Sequence, residues 1–103
     1  MPATHRFIVT VALRARPEHS EALRAALARQ AANSLAREEA CHAFEVSVDP
    51  EAPHAFFLYE KYSDAAAFDE HLRSEHFLAF DLATHDWLEA KEVRTWISLE
   101  TGD

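Results

Sequence analysis

Residues 56–77 read Phe-Phe-Leu-Tyr-Glu-Lys-Tyr-Ser-Asp-Ala-Ala-Ala-Phe-Asp-Glu-His-Leu-Arg-Ser-Glu-His-Phe, and this stretch decides the fold of the 103-residue chain. Its first part, up to Tyr62, is mostly aromatic or apolar, which favours a β-strand. Because these residues are adjacent rather than alternating, both faces of that strand need cover. Ser63 or Asp64 can then cap a helix start, and apolar residues recur at helical spacing as far as Leu72. The stretch therefore predicts a strand that runs directly into a helix.

The junction of this strand and helix also contains the candidate acid and base. Glu60 is an ionisable residue in an otherwise apolar strand, and His71 lies one helical turn after Phe68 on the same side. His76 follows five residues after His71. Since the sequence offers no closer pair of acid and base candidates, we expect any chemistry to occur here.

The residues before this stretch predict a strand, a helix and a second strand. Residues 5–14 alternate apolar residues with small or apolar ones, which predicts a strand covered on both faces. Residues 17–37 are rich in alanine and predict a helix. The apolar positions of that helix recur every four residues, at Leu23, Leu27, Ala31 and Leu35. Residues 41–48 predict the second strand, and the prolines of residues 49–53 predict the turn of a hairpin.

The residues after the stretch complete a recognisable order of elements. Ser74 can cap a further helical segment that carries apolar residues from Phe77 to Leu88, and the last strand spans roughly residues 92–99. Strand, helix, strand, strand, helical pair and strand form the β-α-β-β-α-β pattern of ferredoxin-like α+β folds. We therefore expect a single domain over residues 1–103, with one antiparallel sheet and helices on one of its faces. A second copy of the chain is the simplest cover for the other face, so we expect a homodimer.

Composition excludes several classes of protein. The formal net charge of −8 argues against nucleic-acid and anionic-membrane partners, which require a concentrated basic surface. The single glycine, Gly102, excludes a Walker site and a glycine-rich Rossmann turn. The single cysteine, Cys41, excludes an internal disulfide and a cysteine-based zinc site. The sequence contains no long apolar run and no signal-peptide pattern, so we expect a cytoplasmic location.

The sequence also resembles the antibiotic biosynthesis monooxygenase (ABM) domain family, which includes cofactor-free quinol monooxygenases. The matching residues follow the family's order over nearly the whole chain: residues 34–38, Cys41, residues 44–46, residues 57–62, residues 64–67, His71, His76 and Phe77. The chain departs from the family at Glu39 and Ala40, where members usually have proline and glycine. The resemblance implies a dimeric α/β barrel, in which two sheets face each other and a cavity lies between each sheet and its helices.

One branch of the same superfamily degrades haem, and the residues argue against this chemistry here. Those enzymes resemble the chain around residues 68–72, but they have tryptophan where His71 stands. Their axial histidine falls near Asp81, and the first strand of this chain lacks their asparagine. We therefore expect no haem and no other cofactor.

The resemblance implies a monooxygenase that oxidises a small phenolic or quinol-like compound with dioxygen. A deprotonated, electron-rich substrate can reduce dioxygen itself, so the protein supplies a base, a partner for the oxyanion and a dry pocket. We assign His71 as the base and Glu60 as the group that orients it or receives its proton. The candidate substrate-binding residues are Tyr59, Tyr62, His76, Phe77 and Trp96.

Other interpretations of the same residues stay open. His71 can simply pack at a helix edge with Glu60 as a structural partner. The domain can be a noncatalytic small-molecule binding module, or an isomerase or degradation enzyme for a small carbonyl metabolite. A metal site formed by His71, His76 and Glu60 is disfavoured, because a five-residue spacing does not place both histidines on one helix face. We therefore expect no metal.

Overall fold

The computed structural model describes residues 5–99, which form four strands and three α-helices. The elements in chain order are β1 (Phe7–Ala15), α1 (Ser20–Arg37), β2 (Cys41–Asp49), β3 (Ala52–Tyr62), α2 (Ala65–Arg73), α3 (Glu75–Thr84) and β4 (Leu88–Ile97). Short 3-10 turns at Pro17–His19 and His85–Trp87 precede α1 and β4, and the rings of His19 and Trp87 stack with their centroids 5.6 Å apart. The predicted β-α-β-β-α-β order is confirmed, with its second helix divided into α2 and α3.

The four strands form one sheet in the order β2-β3-β1-β4, and all neighbouring strands are antiparallel. β1 lies in the middle, where Val9 pairs with Glu60 of β3 and with Thr95 of β4. β3 begins at Ala52, four residues before the predicted Phe56, and so includes Pro53. This proline is tolerated because the pairing with β1 begins only at Ala55, so no ladder bond to β1 is lost.

The core lies between one face of the sheet and the helices. Leu23 and Leu27 of α1 are fully buried against it, as predicted, but Leu35 is 48% exposed. The strict four-residue spacing placed Leu35 inside wrongly, because a real helix repeats every 3.6 residues and its buried face drifts around the axis. The inner face of α1 instead ends with two buried polar residues, Gln30 and Ser34.

Side-chain caps begin both α2 and α3, as the sequence predicted. Asp64 accepts a hydrogen bond from the backbone N–H of Ala67 at 2.9 Å and begins α2. Ser74 has an extended backbone, and its hydroxyl accepts a hydrogen bond from the Phe77 N–H at 3.2 Å, so that α3 begins there. Leu72, which was expected to face inward, is 38% exposed, and His71 takes the inward position in the last turn of α2.

The other face of the sheet is uncovered within the described chain. We call this the open face; it includes Thr10, Phe57, Tyr59 and Trp96, and Phe57 and Trp96 are 47% and 43% exposed. β4 begins at Leu88 rather than at the predicted residue 92, and nine of its ten residues are exposed. No helix between residues 5 and 99 is long and apolar enough to cross a membrane.

Candidate functional site

A cavity lies between the sheet and the helices, and its wall is largely apolar. The apolar wall residues come from the sheet and from helices α1 and α3: Val11, Leu13, Leu23, Phe44, Leu58, Phe77, Phe80 and Leu88. The polar wall residues are Gln30, Glu60, His71, Thr84 and Lys91. The cavity leaves about 40 Å³ for the centres of water molecules, which is room for a few waters. It therefore combines an apolar interior with a few polar groups, as small-molecule sites do.

Glu60 is a buried carboxyl group on the inner face of β3. Strand alternation turns it toward the helices, and its side chain is 3% exposed. The Tyr62 hydroxyl donates a hydrogen bond of 2.6 Å to its Oε1. Burial raises the pKa of Glu60 to about 7, against the opposing effect of this hydrogen bond. Glu60 can therefore accept or release a proton near neutral pH.

His71 lies on the inner face of α2 and is 3% exposed. Its Nδ1 lies 2.9 Å from Oε2 and 3.2 Å from Oε1 of Glu38, so its partner is Glu38 and not the predicted Glu60. Burial lowers the pKa of His71 below its usual value, and the Glu38 carboxylate opposes this effect. Because a carboxylate only accepts, Nδ1 of the neutral ring carries the hydrogen and Nε2 keeps its lone pair. Within residues 5–99, Nε2 has no hydrogen-bond partner.

Glu38 is held in place by the turn that follows α1. Its backbone N–H donates to the Ser34 carbonyl oxygen, and the Cys41 N–H donates to the Glu38 carbonyl oxygen, each at 3.0 Å. This turn contains Glu39 and Ala40, the two residues at which the chain departs from the ABM pattern. The turn therefore fixes the Glu38 carboxylate beneath the junction of α2 and α3.

The same carboxylate also binds His76 at the start of α3. Nε2 of His76 donates to Oε2 of Glu38, and it lies 3.3 Å from the Ser74 hydroxyl. The His76 and Glu38 side chains are 8% and 14% exposed. One carboxylate thus bridges two imidazole rings. Phe77 packs beside them, with its ring centroid 5.0 Å from that of His71.

The remaining predicted site residues divide between the two faces of the sheet. Tyr62 lies on the inner face, with its ring centroid 5.5 Å from that of His71. Tyr59 and Trp96 do not line the cavity, because they lie on the open face, where Trp96 Nε1 donates to the Thr10 hydroxyl at 3.0 Å. Strand alternation predicts this placement, since Tyr59 is adjacent to the inward-facing Glu60. These two residues are therefore not part of the cavity site. Tyr62 is fully buried and His76 lies at the outer depression, so Phe77 is the one predicted substrate-binding residue that lines the cavity.

Four polar residues of the site were not predicted from the sequence: Glu38, Gln30, Thr84 and Lys91. Glu38 was overlooked because a charged residue at a helix end is usually solvated, although an acidic group at a helix C-terminus is unfavourable and needs a partner. Gln30 is 3% exposed, and its Nε2 has no hydrogen-bond partner in the described part of the chain. Lys91 places its Nζ 6.0 Å from the centre of the Phe77 ring. No local pattern distinguishes Gln30 or Lys91 from other polar residues.

Comparison with known proteins identifies relatives of this chain. The family model described as antibiotic biosynthesis monooxygenase matches residues 6–81. A candidate antibiotic biosynthesis monooxygenase from Nitrosomonas europaea has a TM-score of 0.88 and 22% identity, covering 96% of this chain and 95% of its own. A Pseudomonas aeruginosa protein has a TM-score of 0.88 and 26% identity, covering 97% of this chain and 100% of its own. No curated protein matches the chain significantly.

These comparisons confirm the ferredoxin-like α+β fold that the order of elements predicted. The family match spans the turn that carries Glu38, the strand that carries Glu60 and both histidines of the α2–α3 junction. On this match, the chain belongs to the antibiotic biosynthesis monooxygenase family.

Proposed function

We propose that this protein is a cofactor-independent monooxygenase that oxidises a small phenolic or quinol-like compound with dioxygen. The observation that carries the proposal is the state of His71. Glu38 holds its Nδ1, its Nε2 is unpaired within the described chain, and the ring lines an apolar cavity. A neutral, oriented imidazole at a water-poor surface is suited to remove a proton from a bound hydroxyl group.

In the first step, Nε2 of His71 takes the proton of the substrate hydroxyl group. The resulting imidazolium is stabilised by Glu38, whose carboxylate lies 2.9 Å from Nδ1. The phenolate is left in the cavity, where Lys91 is the cationic wall residue. Lys91 can attract the phenolate, but its side chain is 37% exposed and its Nζ lies 3.8 Å from Asp81 Oδ1, so water and this carboxylate weaken the attraction.

In the second step, the electron-rich phenolate transfers an electron to dioxygen, and the two radicals combine. A carbon–oxygen bond forms at a ring carbon that bears hydrogen, which gives a peroxide. Loss of water from this peroxide, with the ring hydrogen leaving as a proton, breaks the oxygen–oxygen bond and leaves a carbonyl group. One oxygen atom thus enters the product and the other becomes water. The substrate supplies all of the electrons.

Two buried groups are placed to serve these steps. Glu60, with a pKa of about 7, can donate a proton to the departing peroxide oxygen and recover it afterwards. Gln30 presents an unpaired amide N–H₂ group at the cavity wall, and a second oxygen atom of a quinol or quinone is a suitable acceptor for it. An aromatic ring needs more room than about 40 Å³, so we infer that Phe77 and Phe80 move when substrate enters.

We place this activity in a homodimer formed through the open face. Two large apolar side chains, Phe57 and Trp96, are exposed on that face. A second copy of the same surface would cover these residues by two-fold symmetry.

The proposal is tested by measuring oxygen uptake with a panel of hydroquinones and naphthols. We expect uptake with at least one of them and, with isotopically labelled dioxygen, one labelled oxygen atom in the product. His71→Ala should lower kcat by about a hundredfold or more, because it removes the base. The matched control is His85→Ala, since His85 is exposed and lies outside the cavity. Binding of these compounds without oxygen uptake would instead identify a noncatalytic binding module.

A further inference from the structure

Three potential metal ligands meet at the junction of α1, α2 and α3. The Glu38 carboxylate, His71 Nδ1 and His76 Nε2 all lie within 4.8 Å of one another. Their side chains are 14%, 3% and 8% exposed, so the rings and the carboxylate are held by packing. Two imidazoles and one carboxylate are a ligand set that Zn²⁺ and other divalent transition metals accept.

Each pair of these ligand atoms must adjust its separation to admit a small cation. Zinc bonds of roughly 2.0–2.1 Å place tetrahedral ligand atoms about 3.3 Å apart. His71 Nδ1 lies 2.9 Å from Glu38 Oε2, so this pair needs to separate by a few tenths of an ångström, whereas His76 Nε2 lies closer to the same oxygen and needs to move further. Three protein ligands would leave the fourth position to water.

The break between α2 and α3 explains how two histidines five residues apart can share one ion. On a continuous helix this spacing would turn their side chains to different faces. Ser74, with φ −70° and ψ 151°, interrupts the helix between them, and His76 begins a new direction of the chain. Both rings therefore reach the same carboxylate, although the sequence spacing argued against it.

An open depression gives this cluster a path to solvent. It holds about 510 Å³ and lies on the outer side of Glu38 and His76. Its other charged lining residues among the described residues are Glu39, Glu70 and Glu75, against Arg37 as the one cation. The depression is therefore negatively charged and concentrates cations near the ligands.

We propose that Glu38, His71 and His76 form a site for a divalent transition-metal cation such as Zn²⁺, and that the bound cation blocks His71 as a base. A metal on Nδ1 needs the lone pair of that nitrogen, so the ring hydrogen must move to Nε2 through solvent. In His76 the ring hydrogen must move in the opposite direction, from Nε2 to Nδ1, so that Nε2 can bind the metal. The cavity would then face an N–H donor where it had an acceptor. The blocking effect rests on the proposed function, whereas the binding site does not.

The binding site is tested by calorimetric titration of Zn²⁺ into tag-free, chelator-treated protein. We expect one Zn²⁺ per chain, and an affinity at least about tenfold lower in His76→Gln. Glutamine keeps a hydrogen-bond donor for Glu38 but removes the imidazole ligand. The matched control His85→Gln should bind as the unaltered protein does. Absence of stoichiometric binding to the unaltered protein, or equal binding by His76→Gln, would overturn the proposal.

The change of the His71 tautomer is tested by nitrogen NMR. This measurement shows which ring nitrogen carries the hydrogen, and it needs no substrate. We expect the hydrogen on Nδ1 in the free protein and on Nε2 with Zn²⁺; a hydrogen that stays on Nδ1 would place the ion elsewhere. With an active substrate, Zn²⁺ should suppress oxygen uptake, a chelator should restore it, and unaffected uptake would refute the blocking effect. If no substrate is ever oxidised, the titration and NMR still decide the metal site, so the two proposals fail separately.

Discussion

At the residue scale, Glu38 is the group on which both proposals depend. Its carboxylate is the hydrogen-bond acceptor for His71 and for His76, and it is held by the turn that closes α1. A carboxylate behind the base fixes the tautomer of the imidazole and stabilises the imidazolium formed during proton transfer. Glu38 thus acts on the substrate only through His71, as a positioning residue.

Replacing Glu38 by glutamine should therefore impair turnover more than folding. An amide cannot accept from both histidines with the strength of a carboxylate, and it does not stabilise the imidazolium. We expect kcat to fall by about tenfold to a hundredfold and the pH at which the base becomes active to shift downward. The measurements are the pH profile of kcat and the free energy of unfolding. Glu39→Gln is the matched control, because Glu39 is the adjacent exposed residue; equal profiles in the two variants would refute this role.

The raised pKa of the buried Glu60 carboxyl group predicts how the free energy of unfolding depends on pH. Its folded pKa of about 7 lies above the ordinary 4.5, so between these values the folded protein binds more protons than the unfolded chain. Stability should therefore fall as the pH rises through this window and then level off. Glu60→Gln stays neutral, so above pH 7 it should be more stable than the unaltered protein, by at most about 3 kcal/mol.

This prediction is checked by urea unfolding from about pH 4.5 to pH 8. Glu45→Gln, which alters an exposed glutamate on β2, is the control and should show the same pH dependence as the unaltered protein. A stability difference between Glu60→Gln and the unaltered protein that does not change with pH would contradict the raised pKa of Glu60.

Part of this site was predictable and part was not. Glu60 and His71 stand out because each is an ionisable residue at an apolar position, and both line the same cavity, Glu60 from the sheet and His71 from α2. The pairing of His71 with Glu38 was not predictable, because Glu38 lies 33 residues before His71 in the sequence. The two residues meet only through the packing of α1 against the sheet. The exclusion of Tyr59 was available from strand alternation alone.

At the scale of elements, α3 forms the movable wall of the cavity in our proposal. Phe77 and Phe80 line the cavity from this helix, while Leu78 and Leu82 on the same helix are 54% and 82% exposed. The caps at Asp64 and Ser74 were readable from sequence because capping is local chemistry. The burial of Gln30 and the exposure of Leu35 were not, because the exact rotation of α1 is set by its packing on the sheet.

Shortening Phe80 should widen the cavity and change substrate preference. Phe80→Ala removes a ring from the cavity wall, so we expect kcat/KM for a naphthol to rise several-fold relative to that for a single-ring phenol. The cost in the free energy of unfolding should be about 2 kcal/mol, below that of a fully buried phenylalanine, since Phe80 is only partly buried. Leu78→Ala is the control on the same helix. An unchanged ratio of kcat/KM would show that Phe80 does not limit substrate size.

At the scale of the whole molecule, the open face is the surface through which we propose that two chains associate. The sequence predicted uncovered apolar strands from their lack of a polar face, and the structure leaves Phe57 and Trp96 exposed there. The same pattern led us to expect a second copy of the chain as the cover, and this expectation stays a prediction.

We expect a dimer by sedimentation at low micromolar concentration. Interfaces of this obligate kind commonly bury about 2,000 Å² or more in total, and Phe57→Glu should weaken such an interface by placing a charge within it. Leu82→Glu is the control, because Leu82 is 82% exposed on α3 and away from the sheet. A folded monomer at this concentration, or equal effects of the two substitutions, would show that the open face is not the interface.

The position of Trp96 gives the protein an optical reporter of its own state. The chain has two tryptophans, and they stand in different surroundings: Trp96 lies on the open face with the Arg94 guanidinium 4.4 Å from its ring centre, whereas Trp87 stacks on His19. Covering Trp96 removes water from its indole and shifts its emission to shorter wavelength, while Trp87 is not part of that face. Trp87→Phe would leave Trp96 as the single emitter, so that dilution of the unlabelled protein could be followed by fluorescence alone.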